Sequence, residues 1–281
     1  MKRSIRTLLA LATLMGAIFG TAGVAGAANK ATYYVSLGDS VAGEGNNKQY
    51  PNQLFNMVRG EFKQLQLVKL GCAGESTDSM ITGVPPTCHA SPQLDEALAV
   101  LEAHPGQIAF ITITIGAGDV LGTDGVFCFD PDAGVFDLAC VEGELPNIES
   151  NLDYIIETLQ AAAPGVPILG MNYADPFIGY WVTRPDGHSL AYLDHVAVQA
   201  LNAGLVSTYQ SDGAIVADVT GPDYFNSDDF TDMVVTKEWG EIPVNVANVC
   251  AWTFFCSVGD VHPNTEGHGV IAAAFEAVMP T

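Results

Sequence analysis

The chain is poor in positive charge, in long apolar runs and in metal-binding spacings. Of its 281 residues only 10 are lysine or arginine, against 32 aspartates and glutamates, for a formal net charge of −22. A surface of that sign repels nucleic-acid phosphates and anionic lipid headgroups, so neither is an expected partner. Beyond the N-terminal stretch no segment offers the ~18 consecutive apolar residues of a membrane span, so no stable membrane anchor is expected. There is no Cys-x-x-Cys pair and no Cys/His cluster with ligand spacing. Asp260, His262 and Glu266 match no common ligand pattern either, so neither a metal nor an organic cofactor is expected. Internal repeats, low-complexity tracts and linkers are also missing.

Residues 1–27 carry a secretory pattern. Lys2, Arg3 and Arg6 form the charged start, Leu8 to Phe19 the apolar stretch, and Ala25-Gly26-Ala27 the small-residue cleavage site. The expected product begins near Ala28, is secreted, and is a monomer. Three of the 10 basic residues and none of the 32 acids fall in this segment, so the remainder carries 7 − 32 = −25. It holds 281 − 27 = 254 residues, enough for a single α/β domain over 28–281 with a full core.

Six cysteines in an exported chain point to disulfides. Six allow 15 connectivities. The expected one joins sequence neighbours, Cys72–Cys88, Cys128–Cys140 and Cys250–Cys256, each contributing ~2–4 kcal/mol.

Strand-like and helix-like segments alternate. Strands are expected at Tyr33–Leu37, Gln66–Leu70, Ile108–Ile115, Val166–Met171 and Ala214–Ala217. Ile108–Ile115 is dense in β-branched residues, as a covered central parallel strand should be. Apolar spacing predicts helices over Tyr50–Leu65, from Ser91-Pro92 to about Ala103, over Asn147–Ala163, Ser189–Tyr209 and Thr265–Met279, with Asn264 as an N-cap. Longer loops are expected near 116–143 and 220–260. Such alternation argues an α/β fold with a parallel, doubly wound sheet of about five strands.

Sites in open parallel sheets form at the carboxyl ends of the strands. Ser40 stands just past the first strand, in Gly38-Asp39-Ser40. Gly71-Cys72-Ala73-Gly74 follows the second and Gly116-Ala117-Gly118-Asp119 the third. A serine hydroxyl needs a base to take its proton as it attacks, and a histidine oriented by a carboxylate is the usual choice. Asp260-Val261-His262-Pro263-Asn264 supplies both. Asp39 and Asp119 read as loop-holding residues. The other histidines, 89, 104, 188, 195 and 268, read as surface or structural. Trp181, Trp239, Trp252, Tyr173 and Phe177 are candidates for a pocket wall, although aromatics more often belong to cores.

Taken in order and spacing, Gly38-Asp39-Ser40, Leu70-Gly71-Cys72-Ala73-Gly74-Glu75-Ser76-Thr77, Ile115-Gly116-Ala117-Gly118-Asp119 and Asp260-Val261-His262-Pro263-Asn264 resemble the SGNH/GDSL hydrolases. The likeness is greatest to their exported, three-disulfide lipase/esterase-like branch of actinobacterial type. The resemblance implies a flavodoxin-like three-layer α/β/α sandwich and ester hydrolysis through an acyl-serine intermediate. Ser40 would be the nucleophile, His262 the base and Asp260 its orienting acid. It also implies an oxyanion hole from the N–H groups of Ser40 and Gly74 and an asparagine side chain. The substrate implied is a small-molecule or lipid ester.

The chain departs from that pattern twice. Gly118 stands where the asparagine belongs. Either a donor worth roughly 10²–10³ in turnover is missing, or another group, such as the Gly118 N–H, fills the position. The family spaces its acid three residues before the histidine, where this chain has Gly259, so the Gly259 carbonyl rivals Asp260. A carbohydrate O-acetyl esterase and a non-catalytic exported binding protein on the same fold are the alternative functions.

Overall fold

Five short runs, the densest in β-branched residues being Ile108–Thr114, become the strands of one parallel sheet. The computed structural model describes residues 30–280 apart from 44–46, 85–87, 89 and 123–124. The expected signal, 1–27, its cleavage point near Ala28, and His89 lie outside the described residues. In chain order the elements begin with β1 (Tyr33–Gly38), α1 (Tyr50–Val58), β2 (Gln66–Lys69), α2 (Thr77–Thr82), α3 (Gln93–Ala103), β3 (Ile108–Thr114) and α4 (Ala117–Leu121). The hairpin β4 (Phe129–Asp130) and β5 (Val135–Phe136) follows, then α5 (Leu138–Ala162), β6 (Ile168–Met171), a 3₁₀ turn at Pro176–Gly179, and α6 (Tyr180–Thr183). Next come α7 (Gly187–Ser211), β7 (Ile215–Ala217), and the hairpin β8 (Met233–Thr236) and β9 (Gly240–Pro243). The last elements are α8 (Val244–Trp252), β10 (Thr253–Phe254), α9 (Phe255–Val258), β11 (Asp260–Pro263) and α10 (Thr265–Ala277).

The five expected strands pair in parallel in the order β2-β1-β3-β6-β7. α1 packs against α10, and α5 packs against both α3 and α7, enclosing the sheet in a three-layer α/β/α sandwich. β3 runs through the centre, with Phe110, Ile111 and Ile113 fully buried. Of its two buried threonines, Thr112 places its Oγ1 against the hydroxyls of Tyr34 at 2.9 Å and Tyr50 at 3.1 Å. Among the described residues no helix is long and apolar enough to cross a membrane.

Two helices depart from the sequence reading. α5 starts at Leu138 rather than Asn147 and carries Pro146 inside it. The Asp137 carboxylate accepts from the N–H groups of Ala139 and Cys140, a cap that lies upstream of the proline. α1 ends at Val58 instead of Leu65, because Glu61 N–H turns back to Val58 O and Gln64 adopts φ 51°. The stretch 220–260 is also not a plain loop, since β8, β9, α8, β10 and α9 fall within it. The cysteines pair 72–88, 128–140 and 250–256, as expected.

Candidate active site

The sheet winds one way from β1 to β2 and the other way from β1 to β3, so a crevice opens where these strands end. Ser40 lies just beyond β1, with the turn carrying Gly74 beyond β2 and α4 beyond β3. Gly38, at φ 136°, closes β1 so tightly against β3 that a Cβ there would collide with the Thr114 carbonyl. Gly74, at φ 81°, turns the chain after β2 in the left-handed region that glycine favours. Gly118 has no such requirement and sits in the right-handed backbone of α4.

Residues far apart in sequence meet at this edge. His262 Nε2 is 2.8 Å from Ser40 Oγ, across a separation of 222 residues. On its other side His262 Nδ1 lies 2.5 Å from Asp260 Oδ1, which also accepts the His262 backbone N–H at 2.9 Å. A carboxylate can only accept, so the proton sits on Nδ1 and the Nε2 lone pair faces the serine hydroxyl. The ring nitrogen's partner is thus the Asp260 carboxylate, although Asp260 is only two residues before the histidine. Desolvation pushes the Asp260 carboxyl up, but the His262 backbone N–H, ring and charge outweigh it and hold the carboxyl below its ordinary range. Both side chains are close to half exposed, at 49% and 44%.

A family model described as GDSL-like lipase/acylhydrolase matches residues 36–270, from inside β1 to inside α10. The chain belongs to that family. Among solved structures its fold is similar to the extracellular lipase of Streptomyces rimosus, at 16% identity and TM-score 0.54, covering 88% of this chain and 100% of that one. The phospholipase A1 of Streptomyces albidoflavus matches at 16% identity and TM-score 0.52, over 89% and 100%. An acetyl xylan esterase matches at 12% identity and TM-score 0.52, over 88% and 100%. No curated protein sequence is significantly similar to this chain.

In this GDSL-family chain a cavity of about 300 Å³ opens beside Ser40 and His262, and Gly74 and Gly118 also line it. Its wall is largely apolar, built by Leu121, Phe136, Phe177, Val198, Leu201 and Ile271. Of the aromatic candidates, Tyr173 and Phe177 line the cavity. Trp181 instead stacks on His188 at 3.9 Å, and Trp252 meets Phe225 edge-on.

The surrounding polar residues are buried and paired. Asp39 Oδ1 accepts the Val41 N–H at 2.9 Å and Oδ2 accepts the Tyr173 hydroxyl. Burial pushes the Asp39 carboxyl up to about 6, against the lowering pull of the Tyr173 hydroxyl, the Val41 N–H and the His262 charge. Asp119 accepts the Thr77 N–H at 3.0 Å and its hydroxyl at 2.5 Å, fixing the start of α2. His268 is kept neutral by burial, which pushes it down to about 4, and its Nδ1 accepts the Tyr50 N–H at 3.3 Å. His195 is wedged between Asp175 and Asp228.

The sequence reading missed Gln93, Glu75 and Phe136. Gln93 opens a helix behind Ser91-Pro92, which is the one signal that could have drawn notice. Nothing in the linear chain shows that its side chain turns back under the nucleophile strand.

Proposed function

We propose that the chain is a secreted serine ester hydrolase with one domain over 28–281. It acts on carboxylic esters through an acyl-serine intermediate. The observation that carries this reading is the continuous Ser40–His262–Asp260 hydrogen-bond line at the mouth of an apolar cavity. Ser40 Oγ attacks the ester carbonyl while His262 Nε2 takes its proton. Asp260 holds the ring in the reactive tautomer and stabilises the imidazolium. The carbonyl oxygen becomes an oxyanion facing the N–H groups of Ser40 and Gly74, with Gly118 at the third position. His262 then protonates the departing alcohol, activates water for attack on the acyl-serine, and returns the proton to Ser40.

The cavity favours an apolar acyl arm over acetyl. At the ~30 Å³ that one molecule occupies in liquid water, about 300 Å³ holds a medium-length chain and far exceeds an acetyl group. Three disulfides and the N-terminal 27-residue pattern support export, and the mature protein should begin near Ala28 by mass spectrometry.

A panel of p-nitrophenyl esters of increasing acyl length, with acetylated xylan and phospholipid alongside, tests the reading. Activity should rise beyond acetate. Ser40→Ala should abolish it without unfolding the protein, and a fluorophosphonate should label Ser40 in the wild type only. Labelling of another serine, or activity retained in Ser40→Ala, would sink the mechanism.

A further inference from the structure

Gly38, the last residue of β1, pairs with Thr114 of β3 on one side and on the other is met by a side chain as well as by the backbone beyond β2. β2 pairs with β1 only as far as Lys69 opposite Ser36. Beyond that point the Leu70 N–H still donates to Ser36 O at 2.8 Å and the Cys72 N–H to Gly38 O at 2.9 Å, and the carboxamide of Gln93 joins them at Gly38. Its Oε1 accepts the Gly38 N–H at 2.6 Å, and its Nε2 donates to the Gly38 carbonyl at 3.0 Å. The amide thus presents an acceptor and a donor to the N–H and carbonyl of one residue, in the manner of a neighbouring strand. The same Nε2 donates to Glu75 Oε2 at 2.8 Å, and Glu75 Oε1 accepts the Ser79 hydroxyl at 2.6 Å. Ser79 in turn belongs to the capping box that opens α2 from Ser76. Gln93 and Glu75 are both 1% exposed, and Gln93 is absent from the cavity wall.

Two residues after Gly38 comes Ser40, and one residue before Glu75 comes Gly74. A single buried carboxamide therefore ties together the two backbone segments whose N–H groups face the oxyanion. We infer that Gln93, through Glu75, is a positioning residue that sets the spacing between the Ser40 and Gly74 N–H donors. The inference rests on the hydrolase reading above and deepens it. Gln93 does not touch substrate, so its effect belongs to the transition state, where donors held in the wrong place lose their value. An ordinary structural contact would lower stability and leave turnover per folded molecule unchanged.

Gln93→Glu is nearly isosteric but removes the donor and sets two buried carboxyls against each other. Its kcat on a p-nitrophenyl ester should fall at least tenfold with KM within twofold, and the loss should deepen with rising pH as the shared proton leaves. The exchange Gln93→Glu/Glu75→Gln restores one donor between the two side chains with the charge moved across. Gly38 O keeps its bond from the Cys72 N–H at 2.9 Å. The double variant should recover most of the lost kcat, and the rate of Ser40 labelling by fluorophosphonate should follow.

A Gln93→Glu protein that folds, by far-UV circular dichroism, and turns over within twofold of wild type overturns the inference. So does a loss that appears in KM alone, or a folded double variant with no recovery. If Gln93→Glu does not fold, the shorter and neutral Gln93→Asn carries the same kcat and KM criteria. A wild type that neither hydrolyses esters nor labels at Ser40 overturns the hydrolase reading itself and this inference with it. An active wild type with an unaffected variant overturns the inference alone.

Discussion

Asp260 and Gly118 are the residues at which this chain departs from its family's usual pattern, and they differ in kind. Asp260 compensates for short spacing by turning back on its own strand, so that one oxygen receives both the backbone N–H and the ring N–H of His262. Asp260→Asn removes the negative charge and can present an amide donor to Nδ1, favouring the wrong tautomer. A fall in kcat of roughly 10³–10⁴ is expected by analogy with other triads. A fall under tenfold in steady-state kinetics would transfer the orienting role to the Gly259 carbonyl. Gly118 is a different matter, because its right-handed backbone does not itself demand glycine. It lines the cavity together with Ser40, so an asparagine there enters the reacting space. Gly118→Asn is expected to lower turnover, and a clear gain with a stable fold would mean that the third donor position stands unfilled in the wild type.

Among the elements, the short hairpin β10–β11 carries the most chemistry for its length. Phe254 pairs with Asp260 and Thr253 with Pro263, so Asp260 and His262 ride on a ladder with few rungs. The Cys250–Cys256 bond braces it from the preceding helix, spanning β10 itself. Replacing both cysteines by serine should lower kcat at temperatures where far-UV circular dichroism still reports full helix content. Unchanged activity would show that Asn264, whose side chain donates to Ala251 O at 2.7 Å, is brace enough.

These elements also mark how far the sequence could be read. The central strand announces itself by its β-branched run and the others by short apolar runs between helical patterns, and Asn264 by its place before an apolar helix, where its side chain does accept from the N–H groups of Glu266 and Gly267. Apolar spacing placed the start of α5 too late, at Asn147, because the Asp137 cap and the packing of α5 on α7 carry the helix through Pro146 despite the bond lost there. The Gln93 clamp and the Phe136 wall depend on approaches between segments far apart in sequence, which no local pattern encodes.

For the whole molecule, buried carboxyls set the dependence of stability on pH. Burial pushes Asp194 up to about 7 from an ordinary 3.8, with the Asp175 charge adding and the Phe136 N–H and Arg184 opposing. Asp39 is raised to about 6 and Asp175 is raised as well, in both cases chiefly by burial. Each keeps in the fold a proton that the unfolded chain releases just above its ordinary value. At these three groups the native state binds more protons between about pH 4 and about pH 7, so they lower stability as pH rises through that window. His268, held down at about 4 from an ordinary 6.5, opposes them over the lower part of the window. Above it the cost is fully present. Asp194 Oδ1 accepts the Phe136 N–H at 2.8 Å, while Oδ2 is buried with no hydrogen-bond partner among the described residues. Asp194→Asn keeps the first contact and stays neutral at every pH. Its thermal midpoint should decline less than that of wild type between pH 5 and about pH 8, and parallel declines would place the ionisation elsewhere.

The 222 residues between Ser40 and His262 also bear on the order in which the molecule becomes competent. Contacts of such separation close slowly, because the loop entropy between them must be met before the contact repays it. The sheet with α3, α5 and α7 can assemble from segments that precede β8, whereas the nucleophile meets its base only when β11 docks against the end of β1. Hydrolysis is thus a late reporter of assembly. During refolding, ester turnover should lag behind the recovery of the far-UV circular dichroism signal, and a molecule nicked within the β8–β11 stretch should keep its sheet while its serine stays inert.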